Sequence, residues 1–233
     1  MRRVMKRSPA KSTGKRPRQS IDDEVQSVLK WLKRCGTKRN REGMARYGIR
    51  ARKVFGVSVT DIRVLTSFVD EPARVTPAQM DRWCRDFDNW AVCDALCFHL
   101  FDRTPLAWQK IAKWCDRRDE FVRRAAFALL ASLAVHDKRA ADAPFIESLA
   151  LIERAATDER NFVKKAVNWA LRAIGKRNHA LNAAAVTLAR RLTESPQSAA
   201  RWVGKDALRE LTSSAVNQRL ETRSRVVPKR RFS

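Results

Sequence analysis

The chain has 233 residues, with 49 Lys and Arg against 25 Asp and Glu, a formal net charge of +24. An excess of that size excludes an ordinary housekeeping surface and predicts a polyanionic partner, nucleic acid or an anionic surface. Seven Gly, eight Pro and many Ala, Leu, Arg and Lys residues predict an all-α chain.

Residues 1–20 carry eight Lys or Arg, no acid and almost no apolar content, and read as a disordered basic tail. That segment has no apolar stretch of the secretory kind, and no run in the chain approaches a membrane span. The five cysteines (Cys35, Cys84, Cys93, Cys97 and Cys115) show no framework spacing, so a reduced compartment, the cytoplasm, is expected. Cys93 and Cys97 are four apart rather than in CxxC spacing, and no metal or cofactor is predicted. Residues 214–233 carry six Lys or Arg against Glu221 and read as a second disordered tail. The remainder, 21–213, keeps 35 basic and 24 acidic residues, so the expected folded domain is basic in its own right.

Within that domain, Ile21–Cys35 is an amphipathic helix, with Ser20 as its cap, acids at its start and Gly36 just past its end. A short helix is predicted around Met44–Tyr47, a loop near Gly56, and a further helix capped by Ser58 or Thr60. Pro72 and Pro77 then punctuate the link to a helix at about 76–86. After it the chain repeats itself. Phe121–Ala126 reads FVRRAA, Phe162–Val167 reads FVKKAV and Trp202–Ala207 reads WVGKDA, at spacings of 41 and 40. Thr104–Cys115, Ala143–Thr157 and Leu181–Leu192 are the expected partner helices, with Asp119, Asp158 and Ser195 near the turns. This period predicts an all-α, HEAT-like α-solenoid of stacked antiparallel helix pairs, a right-handed superhelix acting as a monomer.

Two helices carry residues that core packing does not ask for. In Asn161–Asn178, the residues Phe162, Val163, Ala166, Val167, Ala170 and Ile174 form one face, while Lys165, Trp169, Arg172 and Lys176 form the other. An indole in a row of cations suits a polyanion with flat parts; a tryptophan packed on a neighbouring helix pair is the plainer alternative. At the repeat spacing, Arg124, Lys165 and Lys205 are equivalent, as are Arg123 and Lys164, which predicts a basic stripe. In Asp88–Phe101, Trp90 and Asp94 share a face with Cys97 and Phe101, so Asp94 is an acid on an apolar stripe. Such a carboxylate must be paired or used, and Arg124 is the candidate partner.

The segments MARYG (Met44–Gly48), WAVCD (Trp90–Asp94), FVRRAAF (Phe121–Phe127) and FVKKAVNWALR (Phe162–Arg172) resemble the AlkD family of DNA alkylation-repair glycosylases, in the same order across most of 21–213. The resemblance implies a HEAT-like solenoid holding double-stranded DNA in its concave face. It implies that Asp94 stabilises a sugar cation and places water, and that Trp90 touches the lesion's deoxyribose. It further implies that Trp169 forms the other aromatic wall, that Arg124 holds a backbone phosphate and that Tyr47 lines the cleft. Arg123, Lys164, Lys165, Arg172, Lys176 and Lys205 are the further phosphate-binding candidates. The implied reaction is excision of cationic N3- or N7-alkylated purines, whose charge makes the base a good leaving group without a general acid. The implied mode contacts the lesion's backbone and sugar rather than enclosing a flipped base. The chain departs from the family pattern between Asp61 and Asp81, where about one helical unit is missing. That departure supports the alternative expectation, a non-catalytic DNA-binding solenoid.

Overall fold

A computed structural model describes residues 21–46 and 71–226. The described residues are helical, with no strand among them. Two helices, α1 (Ile21–Cys35) and α2 (Lys38–Arg46), precede the main body. A 3-10 turn (Pro72–Arg74) leads into α3 (Pro77–Arg85), followed by α4 (Trp90–His99), a second 3-10 turn (Phe101–Arg103) and α5 (Ala107–Trp114). Then come α6 (Glu120–His136), α7 (Ala143–Ala155), α8 (Asn161–Gly175), α9 (His179–Thr193), α10 (Ser198–Leu211) and α11 (Ser214–Val226). Tyr47, the cap expected at Ser58 or Thr60, the departure after Asp61 and the tail 1–20 fall outside the described residues, apart from the stretch 71–81.

Local chemistry sets the helix starts. Thr76 and Gln79 form a reciprocal capping box on α3, and Pro77 occupies the first turn. The Asn89 side-chain oxygen accepts from the backbone amides of Ala91 and Val92 at 3.0 and 3.1 Å. Asn178 caps α9 through Leu181 N at 2.9 Å, and its amide also donates to both oxygens of Asp142. Each such cap contributes about 1 kcal/mol.

The helices stack as antiparallel pairs. A row of α4, α6, α8 and α10 packs side by side, and α5, α7 and α9 cover it, which is the HEAT-like solenoid expected from the repeat. The core is continuous from Met80 to Leu211 and rich in alanine, so neighbouring helices approach closely. Cations tie the pairs together. Lys110 is buried, its ammonium 2.7 Å from Asp81 and donating to Pro77 O at 2.6 Å. The Arg177 guanidinium lies 4.1 Å from the Phe145 ring and donates to Ala134 O and Asp137 O, closing the end of α6. Arg223 does the same for α8, donating to Lys176 O at 2.7 Å.

Two expectations need correction. The spacing of 40 for WVGKDA is three residues too long. The residues that start α6, α8 and α10 (Asp119, Arg160 and Gln197) are 41 and 37 apart. The buried set Val163, Ala166, Val167, Ala170 and Ile174 recurs as Ala200, Val203, Gly204, Ala207 and Leu211. Gly204 therefore stands where Val167 stands one repeat earlier. A Cβ there would come within 2.6 Å of Thr193 N and 2.7 Å of Ala189 O, so glycine is what lets α10 lie against α9. The equivalence of Lys205 with Lys165 and Arg124 fails, and Trp202, 40% exposed, takes the position of Lys165.

The second correction concerns 214–233, expected to be disordered throughout. Its first part is α11. Val216 and Leu220, four apart, are buried on one face. The basic composition of this stretch hid a two-residue apolar anchor.

Candidate functional site

Asp94 sits in the middle of α4, whose start Asn89 fixes. Cys93 and Cys97 flank it and turn inward, their thiols donating to Phe121 O and Ala125 O of α6. Cys97 and Phe101 belong to the core, so the partly exposed companions of Asp94 are Trp90 and Phe98, one turn to either side. Across from it, Arg124 of α6 donates through Nε and Nη2 to the two carboxylate oxygens at 2.8 and 2.7 Å. Its Nη1 donates to Phe162 O of α8 at 2.6 Å, so one guanidinium joins three successive helices of the row.

The Asp94 side chain keeps 20% of its surface open, against 7% for Arg124. Burial pushes the Asp94 carboxyl above its ordinary value, opposed by the charge and hydrogen bonds of Arg124. Burial also disfavours the Arg124 charge, but Asp94 more than offsets this and holds the guanidinium above its ordinary value. The result is a carboxylate locked in one orientation by a bidentate partner, with one edge reaching the surface.

Aromatic rings continue from this point. Phe98 stacks on Trp169 of α8, centroids 6.1 Å apart and planes 25° from parallel. Phe98 also meets the His136 ring edge-on at 4.1 Å. His136 Nδ1 is 2.5 Å from Asp102 Oδ2, and the Asp102 side chain is wholly buried. Burial pushes the Asp102 carboxyl up, against its hydrogen bond with His136. Trp169 is thus partly buried against the α4 row rather than standing free among cations. Sequence reasoning passed over Phe98, His136 and Asp102. Asp102 and His136 are 34 residues apart, short of the 41- and 37-residue repeat spacings, so the repeat did not mark them.

Beyond Trp169 lies a cavity of about 220 Å³ between the end of α6, α8 and α11. Trp169, Val216 and Leu220 are among its apolar walls, and Lys138, Lys176, Arg219 and Arg223 stand around it.

The basic candidates divide. Arg123 is paired with Asp158 at 3.1 Å, and Arg124 with Asp94. Arg172 is hydrogen-bonded to Glu210, and Lys176 reaches the same carboxylate at 2.6 Å. Burial would raise the Glu210 carboxyl, but Lys176 and Arg172 together hold it below its ordinary value. Lys164 lies over the Trp202 ring, 5.4 Å from its centre. Lys165 and Lys205 are exposed. Four of the seven basic candidates, Arg123, Arg124, Arg172 and Lys176, are thus paired with carboxylates of the protein itself, and Lys205 is out of register with Lys165.

Among the described residues no helix is long and apolar enough to cross a membrane. In solved structures, the chain is similar to a protein described as "a new family of proteins related to the HEAT-like repeat DNA glycosylases with affinity for branched DNA structures". The identity is 16%, the TM-score 0.60, and the match covers 79% of this chain and 94% of that one. A designed armadillo repeat protein matches at 17% identity and a TM-score of 0.39, over 83% of this chain and 96% of its own. No curated protein matches the chain. The family model described as DNA alkylation repair enzyme matches residues 68–211, well over half the sequence, and the chain belongs to that family.

Proposed function

We propose that the protein is a DNA glycosylase that excises cationic N3- or N7-alkylated purines from duplex DNA. The observation that carries this reading is the partly exposed Asp94 carboxylate, held in one orientation by Arg124 and flanked by Trp90. An alkylated purine leaves as a neutral base, so the barrier lies in the oxocarbenium-like sugar. A fixed carboxylate stabilises that charge without having to reorganise. Each oxygen of Asp94 spends one lone pair on Arg124 and keeps another for the sugar cation and the attacking water. Trp90 and Trp169 supply indole faces that attract the same cation. Arg124 acts by positioning the carboxylate, and its remaining N–H groups are the donors for a backbone phosphate. Lys164, Lys165 and Lys205 add phosphate contacts. The protein acts as a single chain in the cytoplasm and needs no cofactor. The test is release of N7-methylguanine or N3-methyladenine from alkylated duplex DNA under single-turnover conditions. Release by the wild-type protein that Asp94→Asn abolishes supports the reading; no release from either base refutes it.

One observation favours a second reading, a non-catalytic DNA-binding solenoid. Both Asp94 oxygens are already bonded to Arg124, which also anchors α8 through Phe162 O. A purely structural pair would look the same. The similar solved protein is described by its affinity for branched DNA. Binding of branched DNA without base release is the outcome that selects this reading.

A further inference from the structure

The cavity between the end of α6, α8 and α11 shares Trp169 with the glycosylase reading, which leaves its basic rim of Lys138, Arg219 and Arg223 unused. Four cations surround it (Lys138, Lys176, Arg219 and Arg223), and no carboxylate lines it. Lys176 is paired with Glu210, and Arg223 spends one guanidinium nitrogen on closing α8. Lys138 and Arg219 are exposed and belong to no ion pair among the described residues. The Lys138 ammonium is pushed below its ordinary value by burial and by the nearby charges of Arg223 and Arg177, so positive potential is concentrated there. The rest of the lining is apolar. Trp169, on which Phe98 stacks, and Leu220 of α11 both belong to it.

An apolar wall with a tryptophan and a rim of cations fits a group that is flat at one end and anionic at the other. The volume, about 220 Å³, lies below the roughly 300–1,000 Å³ of ordinary small-molecule sites. It takes one base, with the phosphate left at the basic rim, and not a stacked pair. A paired nucleotide in continuous duplex cannot offer its base to such a wall without leaving the stack, whereas an unpaired one can. We propose that this cavity takes a single unpaired nucleotide of a DNA strand, its base against Trp169 and Leu220 and its phosphate among Lys138, Arg219 and Arg223. The inference rests on DNA being the partner, and it makes α11 part of the recognition surface. It assigns the protein a preference for DNA that carries a short single-stranded branch beside duplex.

The test compares a short duplex bearing an unpaired flap of a few nucleotides with the uninterrupted duplex, at one salt concentration. The variants are Lys138→Ala combined with Arg219→Ala, and a control of equal charge, Arg82→Ala combined with Arg190→Ala. Leu220→Ala is a third variant, with its melting curve recorded. Wild-type protein should bind the flap DNA more tightly. The Lys138/Arg219 variant should lose roughly tenfold on the flap and at most a fraction of that on the duplex. Equal losses on both DNAs, a loss matching the control pair, or no wild-type preference for the flap overturns the proposal. Base release by the Lys138/Arg219 variant at saturating protein should match wild type. A failed cavity thus leaves the Asp94 reading standing, and an absence of base release leaves the flap comparison intact.

Discussion

Arg124 grips Asp94 through two parallel hydrogen bonds of 2.8 and 2.7 Å, and its third nitrogen reaches past to Phe162 O. The pair is therefore both the support of the candidate site and a brace for the helix row. Asp94→Asn keeps the shape and removes the charge. Single-turnover release should fall on the order of a hundredfold, by analogy with loss of one preorganised electrostatic group. The melting temperature should fall as well, because Arg124 then carries a poorly paired buried charge. Unchanged release with a lowered melting temperature would assign the pair to packing alone.

Binding to duplex DNA should weaken steeply with salt, with a slope near −0.9 for each phosphate contacted. The contributions should not be equal. Lys165→Ala and Lys205→Ala, at exposed cations, should each reduce the slope by about one contact. Arg172→Ala should change it little and lower stability instead, because Glu210 already neutralises that guanidinium. A titration series against salt for the three variants distinguishes them, and equal slope changes would contradict the division.

Asp81 should set the acid limit of stability. Burial alone would raise its carboxyl, but Lys110, Lys113 and the Trp114 ring N–H bring it down from 3.8 to about 2. A depressed carboxyl means that the unfolded chain binds the proton more readily. Its contribution is thus complete above about pH 4 and lost as the pH falls towards 2. The difference corresponds to about 2 kcal/mol. Asp81→Asn should remove at least this much at neutral pH, since it strands the buried Lys110. It should also flatten the stability–pH curve between those limits, as read from urea unfolding.

Gly204→Ala should destabilise more than Gly175→Ala, although both sites are tight. At Gly204 the added Cβ meets backbone atoms of α9, which cannot turn aside. At Gly175 it meets the Leu211 methyl groups at 2.6 and 2.8 Å and the Ala185 Cβ at 3.0 Å, and the nearest of these are the far end of a side chain rather than backbone. Overpacking of this kind costs about 1–3 kcal/mol. Equal melting temperatures for the two variants would contradict the difference in surroundings.

Where the apolar pattern alone defines an element, the sequence was readable. The helix at Ile21–Cys35 and the row of inner helices follow from periodicity, and the acid on the apolar stripe at Asp94 announced a partner in Arg124. The register of the last repeat was not readable, because Trp202 looks like Phe121 and Phe162 in a linear comparison but packs outward under Lys164. Only the burial of Ala200, Val203 and Gly204 shows the slip of three residues. The fate of the cations was hidden for a different reason. Arg172 and Lys176 meet Glu210 from another helix, 38 and 34 residues away, and nothing in the local pattern marks that carboxylate as their partner. The last helix was hidden by composition, since Val216 and Leu220 are few among many polar neighbours.

The bonds between helix pairs have one more property in common, their reach along the chain. Arg154 to Asp116, Arg191 to Glu153 and Asn168 to Asp206 each span 38 residues, and the Arg223 bond to Lys176 spans 47. None of these links brings the first helices into touch with the last. A molecule fastened only to its neighbours opens like a zip, from its free ends inward. Amide protons in α11 should exchange with solvent well before those in the middle of α6, which is buried along nearly its whole length. The cavity beside Trp169, walled on one side by α11, would then form and dissolve with the last tooth of that zip while the Asp94 pair stays closed.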